Sequence, residues 1–136
     1  MRIKFLLPAL MIWSGIVYGA ELHWERNLQS AFEKASETHR PLMVLIESRS
    51  CHWCKKMKRH TLKDEAVARR LEKFVLARVD RDDSESNSLP YARYVPTIYF
   101  MTSGGKILER VTGYFDIPDF KSWIDDAEAK LGAERQ

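Results

Sequence analysis

Leu42-Met43-Val44-Leu45-Ile46-Glu47-Ser48-Arg49-Ser50-Cys51-His52-Trp53-Cys54-Lys55-Lys56 is the stretch whose reading decides the fold. Leu42 to Ile46 is a short unbroken apolar run, which suits a strand buried on both faces. The Ser-Arg-Ser segment at 48–50 reads as a turn. From Cys51 to about His60 the residues favour helix. A Cys-X-X-Cys pair therefore opens a helix directly behind a buried strand.

That placement has chemical consequences. A helix N-terminus carries unpaired N–H groups and a partial positive charge, which together stabilise a thiolate. The thiolate is the nucleophile of disulfide exchange, so a lowered thiol pKa makes exchange possible at neutral pH. Cys51 sits at the helix mouth, where a partner reaches it. Cys54 lies one helical turn inward and close enough to close a disulfide. This predicts Cys51 as the attacking thiolate and Cys54 as the resolving thiol. Arg49, Lys55, Lys56, Lys58, Arg59 and His60 surround the pair in sequence, with Glu47 the only acid nearby. Cations near a thiol favour its ionised form. Lys55 is expected nearest the sulfur. His52 adds charge when protonated or donates a hydrogen bond to sulfur. Trp53 is expected to be exposed and to offer an aromatic surface to a partner peptide.

Working outward, Leu28, Ala31, Phe32 and Ala35 recur at helical spacing, so Asn27 to about Thr38 reads as an amphipathic helix ended by Pro41. Asp64 to about Lys73 reads as another helix, and Phe74 to Val79 as a second buried strand. Arg81 to Ser88 reads as loop, and Leu89 to Tyr94 as a short helix. Thr97 to Met101 is a third strand. The Ser-Gly-Gly segment at 103–105 signals a hairpin turn into a fourth strand, Ile107 to Gly113. Pro118 stands near the start of a closing helix that carries Phe120, Trp123, Ile124, Ala127 and Leu131. The fold class is α/β. An N-terminal βαβ unit followed by ββα makes a four-stranded mixed sheet flanked by helices. Trp24, Phe32, Phe74, Phe100 and Trp123 are expected in the core. Tyr91 and Tyr94 either flank a groove or pack.

At this point the sequence resembles the thioredoxin superfamily. The cysteine pair is one half of the resemblance. The other is Tyr94-Val95-Pro96-Thr97 opening the third strand, similar to that family's cis-proline signature. The likeness covers most of residues 24–131. Arg40-Pro41-Leu42-Met43, the pair itself and Phe74 to Asp83 are similar to exported thioredoxin-like domains. Those include periplasmic thiol:disulfide interchange proteins and the thioredoxin-like proteins found with sulfur-oxidation systems. The resemblance implies that Pro96 faces the cysteines across a substrate groove, and that Val95 offers backbone hydrogen bonds to an extended substrate peptide. It implies protein thiols and disulfides as substrates, and a membrane electron-transfer protein that regenerates the dithiol. The redox-active group is the Cys51–Cys54 pair itself, with no bound cofactor and no metal. Reductant is preferred over oxidant as its direction. The Cys-His-Trp-Cys pair also resembles that of a group of larger cytosolic proteins, whose additional domain a chain of this length would not hold.

Two departures matter. Thioredoxin has Trp before its first cysteine and Gly-Pro between the two, where this chain has Ser50 and His52-Trp53. Thioredoxin also carries a buried Asp six residues before the first cysteine, where this chain has Leu45. Glu47 is expected to stand in for that proton acceptor through water, provided the strand stays regular far enough to put it on the side of Leu45.

The first twenty residues have the layout of a cleaved secretory signal peptide. Arg2 and Lys4 make a basic start, Phe5 to Val17 an apolar run, and Gly19-Ala20 a small-residue end. The run is roughly 13 residues, against the ~20 needed to span a bilayer. Residues 21–136 are then one exported domain, periplasmic or secreted, without stable membrane insertion.

The chain has 136 residues, 45% hydrophobic, with a net charge of +3. Losing Arg2 and Lys4 takes its basic count from 22 to 20 against 19 acids, leaving about +1. A nucleic-acid partner loses its compositional support. Two cysteines are too few for a disulfide scaffold or a four-thiolate zinc site. In an oxidising compartment they are free to cycle. The alternatives are a static disulfide, a disulfide oxidase or isomerase, a thioredoxin-fold binding module, and a metal site built from Cys51, Cys54 and His52 or His60.

Overall fold

The computed structural model describes residues 20–135. The signal segment falls almost wholly on residues 1–19, outside the described residues.

The chain orders as α1 (Leu28–Thr38), β1 (Leu42–Glu47), α2 (His52–Arg59), a 3-10 turn (Thr61–Lys63), α3 (Glu65–Leu71) and β2 (Val75–Asp80). A second 3-10 turn (Ser84–Ser88), β3 (Thr97–Met101), β4 (Ile107–Thr112) and α4 (Ile117–Glu134) follow. The sheet order is β2-β1-β3-β4. β1 pairs parallel with β2 and antiparallel with β3, and β3 pairs antiparallel with β4. This is the expected four-stranded mixed sheet.

β1 is central, which explains its unbroken apolar run. Met43 and Leu45 face a core shared with Met57, Leu71, Phe74, Phe100, Phe120 and Ile124. Leu42, Val44 and Ile46 face the opposite core, with Leu28, Ala31, Val79 and Tyr99. Each large side chain fully buried this way contributes about 1.5–3 kcal/mol. Phe74 and Phe100 are core residues as expected, while Trp24, Phe32 and Trp123 are partly buried and pack against the two cores.

The helix starts follow capping chemistry. Asn27 accepts the Ser30 N–H at 2.7 Å, Asp64 the Val67 N–H at 2.9 Å and Asp116 the Asp119 N–H at 3.1 Å. The carbonyls that close α3 find a remote donor. The Arg40 guanidinium donates to Glu72 O at 2.6 Å and Phe74 O at 3.0 Å. One side chain thus satisfies groups that a helix end leaves unpaired.

One expected helix is absent. Leu89 to Tyr94 is irregular, and the turn of helix lies earlier, at Ser84–Ser88 within the expected loop. Pro90 disfavours the helical region for the residue before it, and Leu89 is extended at φ −116 and ψ 158, so Leu89 at least is excluded from a helix. The hairpin turn falls where the glycines predicted it. Gly105 has φ +89, and its N–H donates to Thr102 O at 2.9 Å.

Candidate functional site: a cysteine pair beneath a cis-proline

Cys51 is the N-cap of α2. Its backbone is extended, and its sulfur accepts the Cys54 N–H at 3.0 Å. Cys51 and Cys54 form a disulfide with their Cα atoms 5.2 Å apart. Cys51 is half-buried and Cys54 fully buried, at 1% exposure. A partner therefore reaches the first sulfur and not the second.

The strand opening β3 comes to meet them. Val95–Pro96 is a cis peptide bond, and the Val95 carbonyl oxygen lies 3.6 Å from Cys51 Sγ. In the dithiol that is the reach of an S–H donor. The corner is held from both sides. Thr97 Oγ1 donates to Tyr94 O at 2.6 Å, and the Gly113 N–H donates to Pro96 O at 2.8 Å. Pro96 and Thr97 are buried, and Val95 is half-buried.

Glu47 lies on the side of Leu45. β1 stays in register to its last residue, where Glu47 opposes Asp80. Its Oε2 lies 2.6 Å from Lys58 Nζ on α2. That oxygen is shut off from solvent and has no aligned hydrogen-bond donor. Among the described residues Lys58 is the one cation within 4.0 Å of it.

The cations split into groups. Lys56, Lys58 and Arg59 occupy the last turn of α2, where they complement the negative end of the helix. Arg49 faces Asp80 at 3.7 Å and Asp83 at 3.5 Å, but it is 86% exposed, so water screens both contacts. Lys55 is exposed, and its backbone N–H returns to Cys51 O at 3.2 Å.

Trp53 is 50% exposed. Its ring meets the edge of His52 at 5.3 Å and the ring of Tyr114 at 5.5 Å. Lys56 Nζ sits 5.1 Å from the Trp53 ring and 4.7 Å from the Tyr114 ring. Tyr91 and Tyr94 do not pack, being 74% and 62% exposed. Sequence reasoning missed Tyr114, Gly113 and the role of Lys56. Trp53 and Lys56 stand three apart on a helix, which signals contact. Nothing in the sequence ties either to Tyr114.

Among the described residues, no group of three or more His, Cys, Asp or Glu side chains is placed to hold a metal ion. No helix among them is long and apolar enough to cross a membrane.

A family model described as thioredoxin-like matches residues 23–103. The chain belongs to the thioredoxin-like family. Anterior gradient protein 3 of Xenopus tropicalis is 24% identical over 99 residues, covering 72% of this chain and 60% of that protein. Of another curated relative the chain spans only 10%. Among solved structures, a thioredoxin from Thermus thermophilus superposes with a TM-score of 0.72 at 26% identity, over 85% of this chain and 93% of that one. The C-terminal domain of DsbD from Neisseria meningitidis superposes at 0.60 and 22% identity, over 74% and 93%. The chain thus spans between a tenth and three-fifths of these curated relatives, and it carries the fold of the thioredoxin-like family together with a Cys-X-X-Cys disulfide.

Proposed function

We propose that this chain is an exported thiol:disulfide oxidoreductase that exchanges disulfides with protein substrates, working as a reductant and without a bound cofactor. The observation that carries the reading is the asymmetry of the pair. Cys51 caps the helix at the surface, beside the Val95 carbonyl, while Cys54 lies buried one turn behind. In the dithiol the Cys51 thiolate keeps the Cys54 N–H and the helix N-terminus as its stabilising partners. It attacks one sulfur of a substrate disulfide. That bond breaks, a mixed disulfide forms, and the second substrate sulfur leaves as a thiolate and takes up a proton. Cys54 then gives up its proton and attacks Cys51 Sγ. The internal disulfide closes, and the first substrate sulfur is released. The substrate is reduced by two electrons and the pair is oxidised by two.

In this reading Val95 and Pro96 hold the extended substrate chain, and His52, Trp53, Lys55 and Glu47 tune the pair. Glu47, on the side of α2 and facing Lys58, accepts the Cys54 proton through water. Export rests on the basic, apolar and small-residue succession of the first twenty residues. A membrane electron-transfer protein would return the dithiol.

The reduction potential of the 51–54 pair tests the assignment. A value near ~−270 mV is expected of a thioredoxin-like reductant, whereas ~−120 mV marks a strong oxidant. A potential well below about −300 mV would identify a static disulfide and sink the proposal.

A further inference from the structure

Lys56 is held in an unusual setting for a surface lysine. Its ammonium group lies against the rings of both Trp53 and Tyr114. Cation–ring attraction biases where the charge stands. The rings in turn belong to the rim of the cysteine site. Trp53 lies between the two cysteines, and Tyr114 follows Gly113, whose N–H binds the Pro96 carbonyl. The contacts run from Cys51 to Val95, Pro96, Gly113, Tyr114 and Trp53, and so back to the pair.

The charges around that rim do not balance locally. Glu47 faces Lys58, Asp80 and Asp83 face Arg49, and Asp82 faces Arg81. Asp116, just past Tyr114, is engaged in capping α4. Each of these carboxylates thus already has a partner, several of them exposed and screened by water. Among the described residues Lys56 has no carboxylate within 4.0 Å, and neither do Lys55 or Arg93. Arg93 stands over the exposed ring of Tyr94, 5.6 Å away. The face that receives a substrate thus presents aromatic surface and fixed positive charge.

We propose that Lys56, held against the rings of Trp53 and Tyr114, is a specificity-determining residue that selects substrate polypeptides carrying a carboxylate beside the reacting cysteine. The proposal rests on the oxidoreductase reading and adds its substrate class. Because the rings already hold the ammonium, less side-chain freedom is lost when it meets a carboxylate than at an ordinary surface pair.

The test uses the full mature chain, reduced and freed of excess reductant, in single-turnover reactions at low ionic strength. Two extended peptides each carry one internal disulfide and differ only in a Glu or a Lys two residues from the cysteine. The wild-type chain is expected to reduce the Glu peptide about two- to five-fold faster, the size of a surface ion pair. The ratio should shrink at about 1 M salt, where screening reaches within ~3 Å. Lys56→Arg should keep the preference, Lys56→Met abolish it and Lys56→Glu invert it. Each ratio is internal to one variant, so a general loss of folding or rate does not produce these results. A preference that survives Lys56→Glu overturns the proposal. So does equal treatment of both peptides by a wild-type chain that reduces the neutral bis(2-hydroxyethyl) disulfide. Failure of the wild type to reduce even that neutral disulfide would instead overturn the oxidoreductase reading, and the proposal with it.

Discussion

Glu47 Oε2 and Lys58 Nζ face each other at 2.6 Å across the junction of β1 and α2, on the side of the sheet where Leu45 and Met57 pack. The carboxylate has one oxygen shut off from solvent with a cation before it, and on the proposed function it takes the Cys54 proton. Glu47→Gln keeps the shape and removes the proposed proton acceptor. It is expected to slow release of the mixed disulfide by about 10²-fold, the lower end of general-base contributions. Attack by Cys51 should be little changed. Single-turnover kinetics separates the two steps, and equal slowing of both would show that Glu47 acts on the wrong cysteine.

The burial difference between the cysteines gives a second expectation. Cys54→Ser should accumulate mixed disulfides through Cys51, seen as a mass increase that dithiothreitol removes. Cys51→Ser should trap none, because the Cys54 sulfur is covered. Trapping through Cys54 in that variant would reverse the assigned roles.

How much of this was legible in the sequence depends on how far apart the partners lie. β1 was readable because a central strand covered on both faces needs an unbroken apolar run, and Leu42 to Ile46 is one. The side of Glu47 followed from simple alternation. The composition of Leu89 to Tyr94 suggests a helix that the structure does not form, because local propensity is overridden by the tertiary setting of the segment leading to the cis Val95–Pro96 bond. Tyr114 was invisible because its meeting with Trp53 depends on how β4 ends. No local periodicity encodes that. The same holds for Arg40, whose partners lie more than 30 residues away on the far side of α2 and α3.

Gly105 and Gly113, both at positive φ, should respond differently to alanine. Gly105 at φ +89 has Phe32 Cε1 only 3.3 Å from where a Cβ would stand, whereas Gly113 at φ +103 has open space. Gly113→Ala is expected to cost about 1–2 kcal/mol from backbone strain alone. Gly105→Ala should cost more, since Phe32 must also shift. Chemical denaturation compares them, and a costlier Gly113→Ala would contradict this reading.

The Arg70–Glu128–Lys73 group makes stability depend on pH. Burial tends to raise the Glu128 pKa, but hydrogen bonds from Lys73 and Arg70 outweigh it and hold the group below its ordinary value near 4.5. A depressed carboxylate contributes stability that is fully present above that ordinary value. The contribution is lost as pH falls through the lowered one. Glu128 is half-buried but its partner Lys73 is exposed, so solvent screens the pair and the amount is at most about 1 kcal/mol. Glu128→Gln should therefore be less stable than the parent at pH 7, and the gap should close toward pH 3. A gap that widens on acidification would contradict this.

The segment between β4 and α4 is pinned at both ends. Gly113 is tied to Pro96 at one end, and Phe115 O accepts from the buried Thr61 hydroxyl at 2.6 Å at the other. Tyr114 is suspended between those anchors. Its ring is preorganised, so the receptor side of the groove has little motion left to surrender on binding, and the ordering cost falls on the incoming chain. On the proposed function, a rim this rigid would favour a cysteine in an extended, unfolded segment over one locked inside a finished fold.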